Sequence, residues 1–401
     1  MAKFELDVWI TRDFSRDWTH VVKGSFTDPQ VAMNGATDLF CYNRNSGIGA
    51  FFATVRSGHL NDGTVVSDGP RQVGPNHTFH NRWTHIVYGP FQAAVQLLFY
   101  DASSGVGEFY STDGHGNLTL KKRHTGWRTS WTQILAGRFG NANLLFYDPA
   151  AGLGAFYRVD ALGAIHLVRE ATGWRESWHS IVKGNFSNSP NDDLLFYDKS
   201  AGAAEFYRLD ATAGMTQFHQ DLGWRKTWQK IVPGQFLQKS TFDGLLFYEE
   251  GTGFTKFYAT DGHANISKID VNLGNPWALP WKEILAGEFT PNLGIIGTSR
   301  LCCYDAKDGT LRYFYFEPAT IKTLIDLNGK WASGGVPGPT ISSAFTSLTI
   351  DMSAFHRPSA HGSIEDASTI TVTFPDDATF TAKLQLPNMI KWANHSTWTK
   401  V

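Results

Sequence analysis

The chain has 401 residues, with 35 Lys+Arg against 37 Asp+Glu and a formal net charge of −2, a balance that leaves no basic footprint for nucleic acid. It contains no run of about 18 apolar residues, so no membrane span is expected. Aromatic residues make up 14% and there are 39 glycines, which suits many short strands joined by tight turns, with rings filling the space between sheets. The three cysteines, Cys41, Cys302 and Cys303, are an odd number without metal-ligand spacing, so a reducing compartment is expected rather than a disulfide framework. Met1–Asp7 has no apolar h-region. The expected location is therefore cytoplasmic, or outside the cell by a route that uses no conventional signal peptide.

In chain order, Glu5–Arg12 reads as a strand and is followed by Phe14-Ser15-Arg16-Asp17-Trp18. That aromatic-to-tryptophan segment returns throughout the chain. Aligned on its last residue, the copies end at Trp18, Trp83, Trp131, Trp178, Trp228 and Trp281, at intervals of 65, 48, 47, 50 and 53 residues. An insertion around residues 60–78 stretches the first interval. Each copy leads into an apolar run closing in Gly-x-Phe, such as Gly137/Phe139 or Gly184/Phe186. Next comes Leu-Leu-Phe-Tyr-Asp, intact at Leu97–Asp101, Leu144–Asp148 and Leu194–Asp198, and after a Gly turn a Phe-Tyr pair such as Phe156-Tyr157 or Phe206-Tyr207. A turn built on Asp113, Asp160, Asp210 or Asp261 then leads to a last strand.

Four short β-branched or aromatic segments per unit, punctuated by Gly, Asp and Asn, predict a small antiparallel meander. A four-stranded sheet repeating at about 40–50 residues is the sequence signature of a propeller blade. Residues 1–326 are thus expected to form a six-bladed β-propeller. Its N-terminal strand should close the ring as the outer strand of the last blade, which removes exposed edges; Thr320–Leu327 is the other candidate for that slot. From 327 the pattern changes. Gly334–Pro339 marks a boundary with a turn-rich opening, and Ser347–Met352, Thr369–Phe374, Thr379–Leu384 and Met389–Trp392 alternate apolar and polar residues. Residues 327–401 are expected to form a small antiparallel β domain, sandwich-like or barrel-like.

No catalytic motif, P-loop, dinucleotide fingerprint or calcium loop occurs, so no catalytic residue, cofactor or metal ligand is assigned. His20, His85, His77 and His80 break the repeat, since later copies place Gln133, Ser180 or Lys230 at the His20/His85 position. Without an identifiable carboxylate partner they read as core or solvated histidines. The second tryptophans, Trp131, Trp178 and Trp228, are expected to wedge between neighbouring blades. The first, Trp127, Trp174 and Trp224, are each followed by Arg128, Arg175 or Arg225. An indole beside a five-donor guanidinium suits a sugar, whose C–H face stacks while its hydroxyls take directed hydrogen bonds. The competing reading is that Arg and Trp only pack against the next blade. Phe14-Ser15, Phe79-His80 and Trp277-Ala278 keep the aromatic without the Arg. Tyr147 and Tyr197 are candidates to line the same clefts.

The copies of W-x-x-I-[LV]-x-G-x-F, such as Trp131–Phe139 and Trp178–Phe186, resemble the Trp-rich β-propeller lectins of the tachylectin-2 and tectonin kind. The resemblance spans roughly residues 4–320. It implies several equivalent, shallow, metal-independent sugar sites and glycans or glycoconjugates as partners. Two other readings stand beside it: an enzyme acting on a polysaccharide or small molecule at the propeller mouth, and a protein-interaction scaffold.

Overall fold

Runs of β-branched and aromatic residues between Gly, Asp and Asn turns become strands because their side chains fit a pleated, half-buried surface. The computed structural model of the chain describes residues 4–11, 14–15, 17–28, 37–59, 65–89, 91–92, 95–237, 240–269, 271–272, 280–289, 299–318, 327, 329–344, 347–366, 369–385 and 389–401. Strand β1 is Phe4–Thr11. The first blade is β2 (His20–Gly24), β3 (Asp38–Asn43), β4 (Ile48–His59) and β5 (Val65–Thr78). The second is β6 (His85–Tyr88), β7 (Val95–Asp101), β8 (Val106–Thr112) and β9 (Leu118–His124). The third is β10 (Gln133–Phe139), β11 (Ala142–Asp148), β12 (Leu153–Val159) and β13 (Ile165–Thr172). The fourth is β14 (Ser180–Gly184), β15 (Asp193–Asp198), β16 (Ala203–Leu209) and β17 (Met215–Asp221). The fifth is β18 (Lys230–Gly234), β19 (Gly244–Glu249), β20 (Phe254–Thr260) and β21 (Ile266–Ile269), and β22 (Val271–Asn272) follows. The sixth has β23 (Glu283–Gly287), β24 (Arg300–Asp305) and β25 (Thr310–Pro318).

Strands pair in chain order within each of the first five blades, and β1 completes the sixth, next to β25, with β22 parallel to it on the far side. The ring is closed by the N-terminal strand. Of the rival segment Thr320–Leu327 all but Leu327 lies outside the described residues, as do Trp277 and Ala278. The insertion in the first repeat lengthens the β4–β5 hairpin.

The buried core lies between blades as much as within them. One cluster joins Phe139, Leu145, Tyr147 and Phe156 of the third blade to Trp178, Ile181, Leu194 and Phe196 of the fourth. Equivalent clusters join the second to the third, the fourth to the fifth, and the sixth to the first. Trp131, Trp178 and Trp228 are 5%, 7% and 5% exposed at these joints, so the second tryptophan of each repeat is the wedge. On the innermost strands, the residues two beyond the tryptophan reach across to the following blade. The His20 and His85 Nε2 atoms lie 3.0 Å from the carbonyls of Thr84 and Thr132, and the Lys230 Nζ donates to the Lys282 carbonyl at 2.6 Å. Burial lowers the pKa of both histidines, as expected for imidazoles serving as spacers.

The chain divides into two compact units, one of Asp7–Lys268 and Gly274–Phe316, the other of Met1–Leu6, Ile269–Leu273 and Glu317–Val401. The second contains a closed antiparallel barrel of β26 (Gly329–Ser333), β27 (Val336–Ala344), β28 (Ser347–Asp351), β29 (Ala360–Asp366), β30 (Thr369–Thr373), β31 (Thr379–Gln385), β32 (Met389–Trp392) and β33 (Thr397–Lys400). The four expected strands are present. Of Gly334–Pro339, expected as a turn-rich opening, residues 336–339 already belong to β27. Only Gly334 and Gly335 turn, with φ of 59° and 81°, as a two-residue hairpin of the mirror-image type requires. Pro339 is tolerated because the register slips between Lys330 and Ala332, where no ladder donor is needed.

Candidate functional site

Each Trp-Arg loop is tied to the blade before it. Gly105, Gly152 and Gly202, in left-handed turns, accept hydrogen bonds from the backbone N–H of Trp127, Trp174 and Trp224 at 3.0, 2.9 and 2.9 Å. The indole then lies over a residue with little or no side chain. A Cβ on Gly154 would sit 2.2 Å from the Trp174 ring, and one on Gly107 2.3 Å from Trp127. Trp174 stacks on Tyr147 at 5.9 Å and meets Phe196 of the next blade edge-on at 5.0 Å. Trp127 and Trp174 stay partly exposed, whereas Trp224 is 8% exposed. Trp127 and Trp174 therefore share in packing while offering part of their surface, whereas Trp224 is a packing residue.

Tyr147 and Tyr197 are placed differently from the expectation that they line the clefts. Both are fully buried, and their hydroxyls donate to the carbonyls of Arg175 and Arg225 at 2.6 Å. Tyr100 does the same to Arg128 at 2.5 Å. Burial pushes the Tyr147 hydroxyl up to about 12, against the opposing pull of the Trp178 backbone. These tyrosines latch the loops of the following blade. Tyr147→Phe is expected to lower unfolding free energy by about 1 kcal/mol, the net worth of one such bond, measurable by denaturant titration.

The arginines turn toward the second tryptophan rather than the first. The Arg175 guanidinium lies 4.6 Å from the Trp178 ring centroid, Arg128 5.8 Å from Trp131, and Arg225 5.7 Å from Trp228 and 4.5 Å from Phe254. Carboxylates aim them: Glu205 and Asp198 hold Arg175 at 2.7 and 3.5 Å, Glu249 holds Arg225 at 3.4 Å, and Asp148 holds Arg128 at 3.6 Å. Burial works to raise the Asp198 pKa, but hydrogen bonds from Ser177, Ser200 and Ala201 outweigh it and bring it to about 2. The carboxylate stays charged and fixed. The Arg175 side chain remains 40% exposed and that of Arg225 49%.

Two open pockets result. One of about 350 Å³ lies between the third and fourth blades, with Trp174, Arg175, Trp178, Glu205, Tyr207 and Arg169 among its walls. One of about 370 Å³ lies between the fourth and fifth, with Trp224, Arg225, Trp228, Phe254, Lys256 and Tyr258. Glu205 and Lys256 occupy the same register position, opposite Phe196 and Phe247 respectively. Glu108 and Ala155 hold it in the second and third blades. These floor residues were missed from sequence. Their signal is the one variable residue before a repeated Phe-Tyr pair.

The remaining expected candidates are structural in their contacts. His77 Nε2 lies 2.7 Å from the Gly116 carbonyl and His80 packs 4.0 Å from Trp83. All three cysteines are free thiols, buried. Among the described residues, no group of three His, Cys, Asp or Glu is placed to hold a metal ion, and no helix is long and apolar enough to cross a membrane.

The architecture defines a six-bladed β-propeller accompanied by an eight-stranded barrel. No family model matches the chain, and no curated protein matches it. Solved structures do. A functionally unknown protein from Desulfotomaculum acetoxidans is 9% identical over 90% of this chain and 84% of its own, with a TM-score of 0.42. Regucalcin from Agrobacterium tumefaciens, a calcium-binding protein, is 14% identical over 78% of this chain and 95% of its own, with a TM-score of 0.40. A Lactobacillus plantarum protein is 13% identical over 59% of this chain and 68% of its own, with a TM-score of 0.39. At such identities and scores the likenesses assign neither ligand nor activity.

Proposed function

We propose that the chain is a multivalent carbohydrate-binding protein that holds glycans at its blade junctions. The observation that carries this reading is the pair of pockets at two of the three junctions with a complete Trp-Arg pair, each combining aromatic wall and half-exposed guanidinium. Arg175, 40% exposed and held by the buried Glu205 at 2.7 Å, presents a fixed guanidinium whose open N–H groups can donate to sugar hydroxyls, while Glu205 itself is engaged by Arg175, Tyr207 and Gln220. Part of the Trp174 ring is open to the apolar ring face. The sites are not copies of one another. With Glu205 in one floor and Lys256 in the other, the two junctions favour different glycans, or different residues of one glycan, and a surface carrying both would be held with gain in avidity.

The test is a broad glycan array followed by titration of the strongest hit. Arg175→Ala is expected to weaken binding by about tenfold, the loss of one charged hydrogen bond. Arg175 is itself 40% exposed, and the buried Asp198 and Glu205 keep their hydrogen bonds from Ser177, Ser200, Tyr207 and Gln220 when it is removed, so stability should change by less than about 1 kcal/mol. Absence of any glycan hit, or unchanged affinity in Arg175→Ala and Arg225→Ala alike, would overturn the proposal.

A further inference from the structure

The barrel carries a pocket of its own. Strand order places the Gly334-Gly335 turn, residues 352–359, residues 374–378 and residues 393–396 at one end. An eight-stranded barrel is just wide enough to be filled by side chains or to hold one small ligand. Here Trp331, Ile350, Ile370 and Ile390 fill the interior, while a pocket of about 330 Å³ stays open at that end. Its wall is aromatic. Trp392 and Trp398 meet edge-to-face at 4.9 Å, and Phe374 meets them at 5.5 and 6.4 Å.

The rim is polar and only partly engaged. Arg357 is clamped by both oxygens of Asp376 at 2.8 and 2.9 Å, and lies 5.5 Å over the Phe374 ring. Asp377 receives only a 3.6 Å contact from the same guanidinium. Asn394 spends its Oδ1 on the backbone and hydroxyl of Ser396, leaving its amide N–H groups for an incoming acceptor. The buried Nε1–H of Trp392 has no acceptor among the described residues, an uncommon state for an indole.

These features select the occupant. Two carboxylates against one guanidinium disfavour phosphates and carboxylates. The guanidinium already lying over Phe374 opposes a second organic cation on that face. A neutral ring with one apolar face and an edge of hydroxyls fits both the aromatic wall and the mixed donors and acceptors. We propose that the barrel mouth is a binding site for a single neutral sugar residue, built independently of the blade junctions and able to operate without them.

The experiment is fluorine NMR of the full chain labelled with 5-fluorotryptophan, titrated with glucose, galactose, mannose, fucose and N-acetylglucosamine. Trp392→Phe and Trp398→Phe assign the barrel resonances. Saturable shifts of those two resonances are expected with at least one sugar. Asp377→Asn and Asn394→Ala, both at exposed rim positions, should each raise the midpoint by about tenfold. The Trp174 and Trp224 resonances report the junctions separately, so shifts confined to them overturn the barrel site and leave the junction reading standing. No barrel shift with any of the five sugars, a shift indifferent to both rim variants, or a shift produced by tetramethylammonium instead would also overturn it. Saturation transfer to each sugar from unlabelled chain, with and without the rim substitutions, gives the same comparison if fluorination disturbs the fold.

Discussion

Trp178→Ala is expected to lower the unfolding free energy by about 3–5 kcal/mol, the usual cost of deleting a buried indole. The ring is 7% exposed and stands between two blades, 5.3 Å from Phe196 and in one cluster with Phe139, Leu145 and Phe156 of the neighbouring blade. Its removal leaves a void that neither sheet can close, because each is fixed by its own ladder. It also takes away the surface on which Arg175 lies. Trp178→Phe should recover part of the loss, since a smaller ring refills part of the space. Buried clusters span neighbouring junctions around the ring, so a single cooperative transition is expected in guanidinium, its midpoint displaced and its slope retained. A loss below about 1 kcal/mol would mean that the wedge is dispensable, since that is the range of surface substitutions. The contrast with Arg175→Ala, a change of affinity with little change of stability, separates the two halves of one Trp-Arg-Glu-Ser-Trp segment.

The propeller was legible because its determinants recur. Trp131, Trp178 and Trp228 return at nearly constant spacing, and a buried wedge tolerates few alternatives, so position in the repeat translates into position in the fold. The strand at Phe4–Thr11 was legible for the same reason: it is the part of a repeat that precedes the first tryptophan. What the repeat obscured were the sites. Period-two alternation says that Phe196 and Tyr197 face opposite sides, but both sides of a blade are interfaces with a neighbour, and both residues are buried. Tyr147 and Tyr197 therefore become latches. Glu205 and Lys256 were overlooked because alignment draws attention to what repeats, and these residues differ at one register position. In the barrel, Ser347–Asp351 and Thr369–Thr373 alternate cleanly, whereas Val336–Ala344 holds two prolines and Thr397–Lys400 has four residues. Closure depends on β33 pairing with β26, far apart in sequence, and such a contact leaves no local trace.

The ring closure makes the other strong prediction. Removing β1 is expected to lower the melting temperature by on the order of 10 °C and to make the chain self-associate. β1 is the strand beside β25 in the sixth blade. Its loss strips that sheet of a ladder whose bonds are worth about 0.5–1.5 kcal/mol each net, and turns β25 into an open edge, a ready template for pairing with another chain. The sixth blade also meets the first through Phe289, Tyr304 and Tyr313 against Trp18, Val21 and Leu39, so loosening it weakens the joint on which closure depends. Because that joint unites the two ends of the repeat array, damage there should cost more than an equal loss on the outer strand β13 of the third blade, whose neighbours are consecutive in sequence. A synthetic peptide of residues 1–11 added to the truncated chain is expected to restore part of the melting temperature and suppress association, since it supplies the missing strand in trans. Sedimentation velocity with thermal melts of the full and truncated chains decides the matter: a truncated chain that stays monomeric and melts within about 2 °C of the full one, the shift expected for less than about 1 kcal/mol, would show that the propeller holds itself closed without its N-terminal strand.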